Sequence, residues 1–298
     1  MQYIDCKFTK VNQDRLNTIN NIIEEYQKAG YTLTLRQLYY QLVSRDIIPN
    51  TKKEYDKLSR LVKNGRMAGL IDWGMIEDRV RVPYIPWSAD SASDAIKSIA
   101  WQFRVDRQAE QGNYIEVWSE KDALSGILQQ VTNEYHVHLM INRGYSSCSA
   151  MREAYLRVCE AINNEQKVTI LYLGDHDPSG LDMVRDIRNR LGEFGIIGDL
   201  SGYLNVKHIA LTTEQVYEFQ PPENYAKVKD PRAKNYISKF GRKSWEVDAL
   251  NPRILTELLK AEIESVIDMN KFKTTMAKED KLKSVLYETA KEVCAKGY

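Results

Sequence analysis

The chain of 298 residues holds only four cysteines and four histidines. Cys6, Cys148, Cys159 and Cys294 have no paired spacing, which fits reduced thiols better than a disulfide framework or a zinc site. His136, His138, His176 and His208 share no spacing either; only His176 falls beside the acidic turn described below, where it is expected to orient a carboxylate or phosphate. No apolar run approaches the ~20 residues needed to cross a bilayer. Met1-Gln2-Tyr3-Ile4-Asp5 lacks signal-peptide character, so a cytoplasmic protein with no membrane partner is expected. The net charge is only +1, so contact with nucleic acid must come from local patches. There are no internal repeats and no low-complexity tracts, and the length suffices for two domains.

What is present centres on two strand ends. Tyr114-Ile115-Glu116-Val117-Trp118 alternates and is rich in β-formers, so it reads as a strand delivering Glu120 to its end. Val168-Thr169-Ile170-Leu171-Tyr172-Leu173 is a nearly continuous apolar run, the mark of a strand buried on both faces of a parallel sheet. It ends at Gly174-Asp175-His176-Asp177-Pro178-Ser179-Gly180, with a helix from about Leu181. Val137 to Ile141 reads as another buried strand, Asn205 to Leu211 as a further one, and Met151 to Asn163 as a crossover helix. Alternating strands and helices imply a parallel sheet. Two residues apart in extended backbone, Asp175 and Asp177 point the same way, and Glu120 can converge on them from the neighbouring strand. Three acids so close repel unless a cation sits among them. Hard oxygen ligands favour Mg²⁺ or Mn²⁺, ions that commonly act on phosphate esters. The plain alternative is that these aspartates cap the following helix.

Three helices precede this region, at about 12–28, 35–45 and 52–68. Ile71-Asp72-Trp73 and Asp78-Arg79-Val80-Arg81-Val82 read as the strands of a wing, which makes a winged helix-turn-helix. On the third helix Leu58, Leu61, Val62 and Gly65 form a buried stripe, while Lys53, Lys57, Arg60 and Lys63 line another side. That row could neutralise DNA phosphates, with Arg79 and Arg81 extending it, or be an ordinary solvated face. On the second helix Tyr39 falls on the apolar stripe and Tyr40 on its flank, one turn from Arg36. An arginine there could stabilise phenolate or hold a scissile phosphate; a packing role for Tyr40 is the alternative.

The glutamate-after-strand and Asp-x-Asp-after-strand pattern resembles the Toprim domain of topoisomerases, bacterial primases, old-type nucleases and RNA maturases, with Arg143-Gly144-Tyr145-Ser146-Ser147 as its middle piece. Thr34-Leu35-Arg36-Gln37-Leu38-Tyr39-Tyr40 in turn resembles the motif around the active-site tyrosine in the A subunit of type IIB topoisomerases and the related meiotic double-strand-break protein. Those proteins also place a winged helix before a Toprim domain. The resemblance, closest to stand-alone bacterial or mobile-element relatives, covers most of residues 30–250. It implies Tyr40 as the DNA-attacking residue assisted by Arg36, a homodimer, and a separate ATPase partner, since this chain carries no ATPase motif.

The expected organisation is α/β: an N-terminal winged helix-turn-helix (1–82), a linker and connecting helix (83–110, the helix from about Ala92 to Gln108), a Toprim-like parallel-sheet domain (111–250) and C-terminal helices (251–298). Arg143 could meet phosphate. If Lys243 to Leu250 is extended, Glu246 and Asp248 share a face and could complete the metal set, or else cap the helix near Pro252. The expected function is Mg²⁺-dependent cleavage of DNA phosphodiesters, with Glu120 as ligand or general acid/base and either Tyr40 or a metal-activated water attacking. A non-catalytic DNA-binding module needing a partner and a Toprim RNA-processing nuclease are the alternatives. The deep, narrow major groove of duplex RNA, which admits no helix, weighs against the last.

Overall fold

A computed structural model of the chain describes residues 2–77, 85–142, 147–195, 202–225 and 232–295. Helix α1 (Lys10–Lys28) buries Leu16, Ile19, Ile22, Ile23 and Tyr26 on one stripe behind an N-cap from Thr9. Helix α2 (Leu35–Ser44) opens on a capping box of Thr34 and Gln37. Helix α3 (Lys52–Met67) is capped by Thr51 and buries Leu58, Leu61, Val62 and Gly65. Gly65 lies so near α1 that a Cβ would stand 2.8 Å from Leu16 Cδ2, so this close approach favours glycine. The three stripes share one apolar core, completed by Ile48, Ile71 and Ile76.

The β-ribbon expected next does not begin where its first strand was placed. The Asp72 carboxylate accepts from the Gly74 amide (2.7 Å) and tightens the chain into a 3₁₀ turn over Trp73–Met75. Beyond it, Ile76 makes a single parallel bridge to Leu33. The second wing strand, with Arg79 and Arg81, lies outside the described residues.

Helix α4 (Ala92–Gln102) stops six residues short of the expected Gln108. The cause is the Gln108 side chain, which pairs with both backbone groups of Ile115 (2.6 and 3.2 Å) and draws this stretch onto the sheet. Then follow β1 (Asn113–Ser119), α5 (Ser125–Tyr135), β2 (His138–Ile141), α6 (Cys148–Asn163), β3 (Lys167–Leu173), α7 (Pro178–Glu193) and β4 (Leu204–Ala210). The four strands are all parallel, in the order β2-β1-β3-β4. Strand β2, expected to be buried, is a partly exposed edge strand that pairs only with β1. After the sheet come α8 (Thr213–Phe219), β5 (Glu223–Tyr225), α9 (Ala233–Phe240), β6 (Lys243–Trp245), α10 (Pro252–Glu264) and α11 (Met269–Ala295). The Lys-rich remainder is thus one long helix; it lies along α4, where Ser93 donates to the Ala290 carbonyl (3.0 Å).

Alternation sorts the central strands onto two faces. Ile115, Val117, Leu171 and Leu173 pack with α5 and α10, whereas Trp118, Ile170 and Tyr172 pack with α6 and α7. Glu116 shares the second face and is fully buried. Its carboxylate accepts two hydrogen bonds from Arg157 of α6 (2.6 and 3.0 Å), one from Tyr114 (2.9 Å) and one from Trp118 (2.8 Å). Among the described residues, no helix is long and apolar enough to cross a membrane.

On β4, burial lowers the His208 imidazole below its usual range, against hydrogen bonds to the Gly174 and Ala210 backbone. An unfolded chain therefore takes up this proton first, so stability present above the unfolded value, about 6.5, is lost as the pH falls toward the folded one. The contribution is at most about 1.4 kcal/mol per pH unit. Urea unfolding from roughly pH 5 to 8 checks it: His208→Gln should flatten the acid-side slope relative to the parent, and parallel curves would contradict the assignment.

Candidate active-site cleft

Strands β1 and β3 lie side by side in register, Ser119 opposite Leu173. The helix after β1 packs on one face of the sheet and the helix after β3 on the other. Such a switch point opens a crevice at the strand ends, and there Glu120 and Asp175 to Asp177 emerge. Glycine at 180 is required by proximity, because a Cβ would collide with the Asp175 carbonyl and push α7 away from the turn. From the far end of the sequence, β6 docks on this turn through two backbone hydrogen bonds between His176 and Trp245 (2.9 and 3.1 Å). The Val247 amide then donates to Asp175 Oδ1 (3.0 Å). Glu246 and Asp248 are thereby carried to the acidic turn. They do not cap the next helix, whose N-cap is Asn251.

Lys121 stands among these acids. Its Nζ lies 2.7 Å from Asp175, 3.4 Å from Glu246 and 3.9 Å from Asp248. Burial disfavours the ammonium, but Asp248, Asp175 and Glu246 outweigh it and raise its pKa. Burial, with repulsion from Asp248 and Glu120, pushes the Asp175 carboxyl up to about 8 despite Lys121. Burial likewise raises Asp248, and burial together with Asp177 raises Glu120, whose carboxylate accepts from the Asp175 amide. Glu246 goes the other way: burial works to raise it, but Lys121 and Arg36 bring it down to about 2. Among the described residues, Glu120, Asp175, Asp177, Glu246 and Asp248 crowd around Lys121 and Arg36, and the crowding with burial raises Glu120, Asp175 and Asp248.

The second cation comes from the helical unit. Arg36 of α2 pairs with Glu246, and its Nε donates to Asp248 at 2.9 Å. The same guanidinium donates to the Tyr40 hydroxyl at 3.3 Å. Tyr40 is buried, 4% exposed, and burial with the Glu246 charge holds its phenol above the usual range in spite of Arg36. A cleft of about 500 Å³ runs between the two parts, lined by Tyr39, Tyr40 and Tyr55 on one side and by Asp175, Asp177 and Trp245 on the other. Tyr40 and Asp175, Asp177 and Glu246 of one chain therefore share one cavity.

Other expected site residues lie elsewhere. Asp177 does cap α7, its Oδ1 accepting from the Ser179 and Gly180 amides (2.9 and 2.7 Å), yet it also lines the cleft. His176 orients no carboxylate: its ring bonds Tyr236 and Thr213 (both 2.9 Å) amid Phe240 and Trp245, a packed aromatic cluster. Lys53, Lys57, Arg60 and Lys63 are exposed on α3, outside the cleft. Lys57 pairs with Glu54 (2.5 Å), while Lys57 and Arg60 border a separate hollow with Lys7 and Arg15. Arg143, like Arg79 and Arg81, falls outside the described residues. Sequence reasoning missed Lys121, although it sits beside Glu120, and Asn50 and Asn224, which meet across the cleft (2.9 Å).

The donor set suits a hard divalent ion: carboxylate oxygens alone, and a buried Asp248 Oδ1 with no hydrogen-bond partner. As the side chains lie, no three acidic or metal-binding residues among the described ones are gathered for chelation. The Lys121 ammonium stands between Asp175 and Glu246. Comparison of the chain with protein-family models, curated proteins and solved structures returned no match.

Proposed function

We propose that the chain cleaves DNA phosphodiester bonds with a divalent metal ion, as a Toprim-type enzyme preceded by a winged helix-turn-helix. One observation carries the reading: a continuous ionic network runs from the Tyr40 hydroxyl through Arg36 and Glu246 to Lys121 and Asp175. A nucleophile candidate and a crowded acid cluster thus meet in one cleft. The exposed Lys53, Lys57, Arg60 and Lys63 row supports contact with DNA phosphates.

Glu120, Asp175 and Asp177 would hold Mg²⁺ or Mn²⁺, with Glu246 and Asp248 completing the set. A bound ion supplies Lewis-acid polarisation of the phosphate. The Tyr40 oxygen attacks phosphorus, its proton leaving to solvent in the cleft while Arg36 faces the phenolate. The tyrosine–phosphorus ester forms as the bond to the 3′ oxygen breaks. Glu120, whose carboxyl is raised by burial and Asp177, is the group suited to return a proton to that oxygen when it serves as acid in place of ligand. Cutting both strands takes two such sites, which favours a homodimer.

One observation favours a second reading, in which water attacks: burial and the Glu246 charge make the Tyr40 phenol harder to ionise than an ordinary tyrosine. Incubation with plasmid and Mg²⁺, followed by detergent, separates the two. Protein left on 5′ DNA ends is the expected result. Clean nicks that survive Tyr40→Phe would replace tyrosine by water, and intact plasmid would overturn the cleavage reading.

A further inference from the structure

We infer that the cleft accepts a single unpaired nucleotide, so the DNA reaching Tyr40 is locally single-stranded or has one nucleotide turned out of its stack. This rests on the cleft being the site of DNA cleavage and adds the form of the substrate. Depth is the first reason. Tyr40 is 4% exposed, and its hydroxyl is held by Arg36 inside the cavity. A phosphate must therefore come inward to be attacked. The roughly 500 Å³ available is the size of a small-molecule site. It has room for a nucleotide, whereas a duplex carries its phosphates on a convex surface with paired bases behind them.

The two walls are also fastened together, so the cleft does not simply gape. Asn50 donates to the Glu223 carbonyl (2.8 Å) and to Asn224 (2.9 Å). Arg36 spans to Glu246 and Asp248, Gln37 donates to the Ala123 carbonyl (3.2 Å), and Tyr31 bonds Thr256 (3.1 Å). Opening wide enough for a duplex would break all of these at once.

The lining is the third reason. A site for phosphate alone needs only cations, which Arg36, Lys52 and Lys121 provide. This cleft adds Tyr39, Tyr40, Tyr55 and Trp245, with the Tyr39 ring edge-to-face against Tyr40 and Tyr55 (5.4 and 5.3 Å). Aromatic faces stack on any base, and side-chain amides such as those of Asn50 and Asn224 bond base edges. Tyr55 and Trp245 are partly exposed, unlike the buried Tyr39 and Tyr40, and Tyr55 is the tyrosine face open to an incoming base. Turning a nucleotide out of intact duplex costs unstacking, and a bulge removes that cost.

Full-length Tyr40→Phe protein, which forms no covalent adduct, is titrated with hairpin duplexes of equal length, one fully paired and one carrying a single bulged 2-aminopurine. The bulged duplex should bind at least about tenfold tighter, with its emission quenched by stacking. Tyr55→Leu and Asn224→Ala should each bring that ratio toward one, with thermal melts confirming that they fold. Equal affinity for both duplexes, or a ratio that neither folded variant alters, overturns the inference. Cleavage by the unmodified protein with Mg²⁺ on the same pair separates the two levels of argument. Equal cutting of both duplexes refutes the unpaired-nucleotide inference and leaves the cleavage reading in place. Tight, quenched binding of the bulge with no cutting of either keeps the unpaired-nucleotide pocket as a binding site and refutes the cleavage reading on which its role as a substrate site rests.

Discussion

Asp175→Asn is expected to lower Mg²⁺-dependent plasmid cleavage by about a thousandfold, equivalent to several kcal/mol of lost transition-state stabilisation. The substitution keeps the side chain's shape and one oxygen, so the Val247 amide can still be satisfied. It removes the charge that binds Lys121 and would bind a metal ion. Because burial and neighbouring acids already raise the Asp175 carboxyl, removing its charge should leave the fold intact or more stable. That combination, lost activity with retained or increased melting temperature, distinguishes a functional carboxylate from a structural one. Cleavage initial rates and thermal unfolding of the same preparation decide it, and unchanged rates would remove Asp175 from the chemistry.

The largest stability effect is expected far from the cleft. Arg157→Ala leaves the Glu116 carboxylate fully buried without its cation, which costs about 3 kcal/mol or more. Tyr114 and Trp118 still donate to it, but two neutral hydrogen bonds do not replace a bidentate guanidinium. In a chain of this size the melting point should fall by roughly 6 °C or more. Glu116→Gln in the Arg157→Ala background removes the stranded charge and should recover most of the loss. A single Arg157→Ala variant that melts like the parent would contradict this account of the α6-facing core.

The parts legible in the sequence were those with local, repeated patterns. The runs of β1 and β3 and the stripes of α1 and α3 each state their element within one window, and Asp175 and Asp177 announce themselves at a strand end. Glu246 and Asp248 were half legible: their residue types were visible, but their meeting with Asp175 depends on β6 docking on His176, a contact 69 residues away in sequence. Helix α8 and the three-residue strands β5 and β6 are too short to carry a period. Lys121 was not legible because acids that repel one another point to an external ion as readily as to an ammonium of the chain itself. The chain places cations of its own, Lys121 and Arg36, among them. Glu116 looked like the polar position of an alternating strand, and nothing local signals the arginine 41 residues later that allows its burial. The first wing strand failed for the opposite reason: a short apolar pair was overruled by a local Asp72 to Gly74 turn.

The central claim is that the carboxylates at the ends of β1 and β3 receive a divalent ion, for which Lys121 now stands in. Crystals of the protein grown with Mn²⁺ and measured at the manganese absorption edge address it most directly. The expected result is an anomalous peak bounded by Glu120, Asp175 and Asp177, with the Lys121 ammonium moved out from between Asp175 and Glu246. Saturating Mn²⁺ with no peak there, and Lys121 still bridging the two acids, would contradict the account.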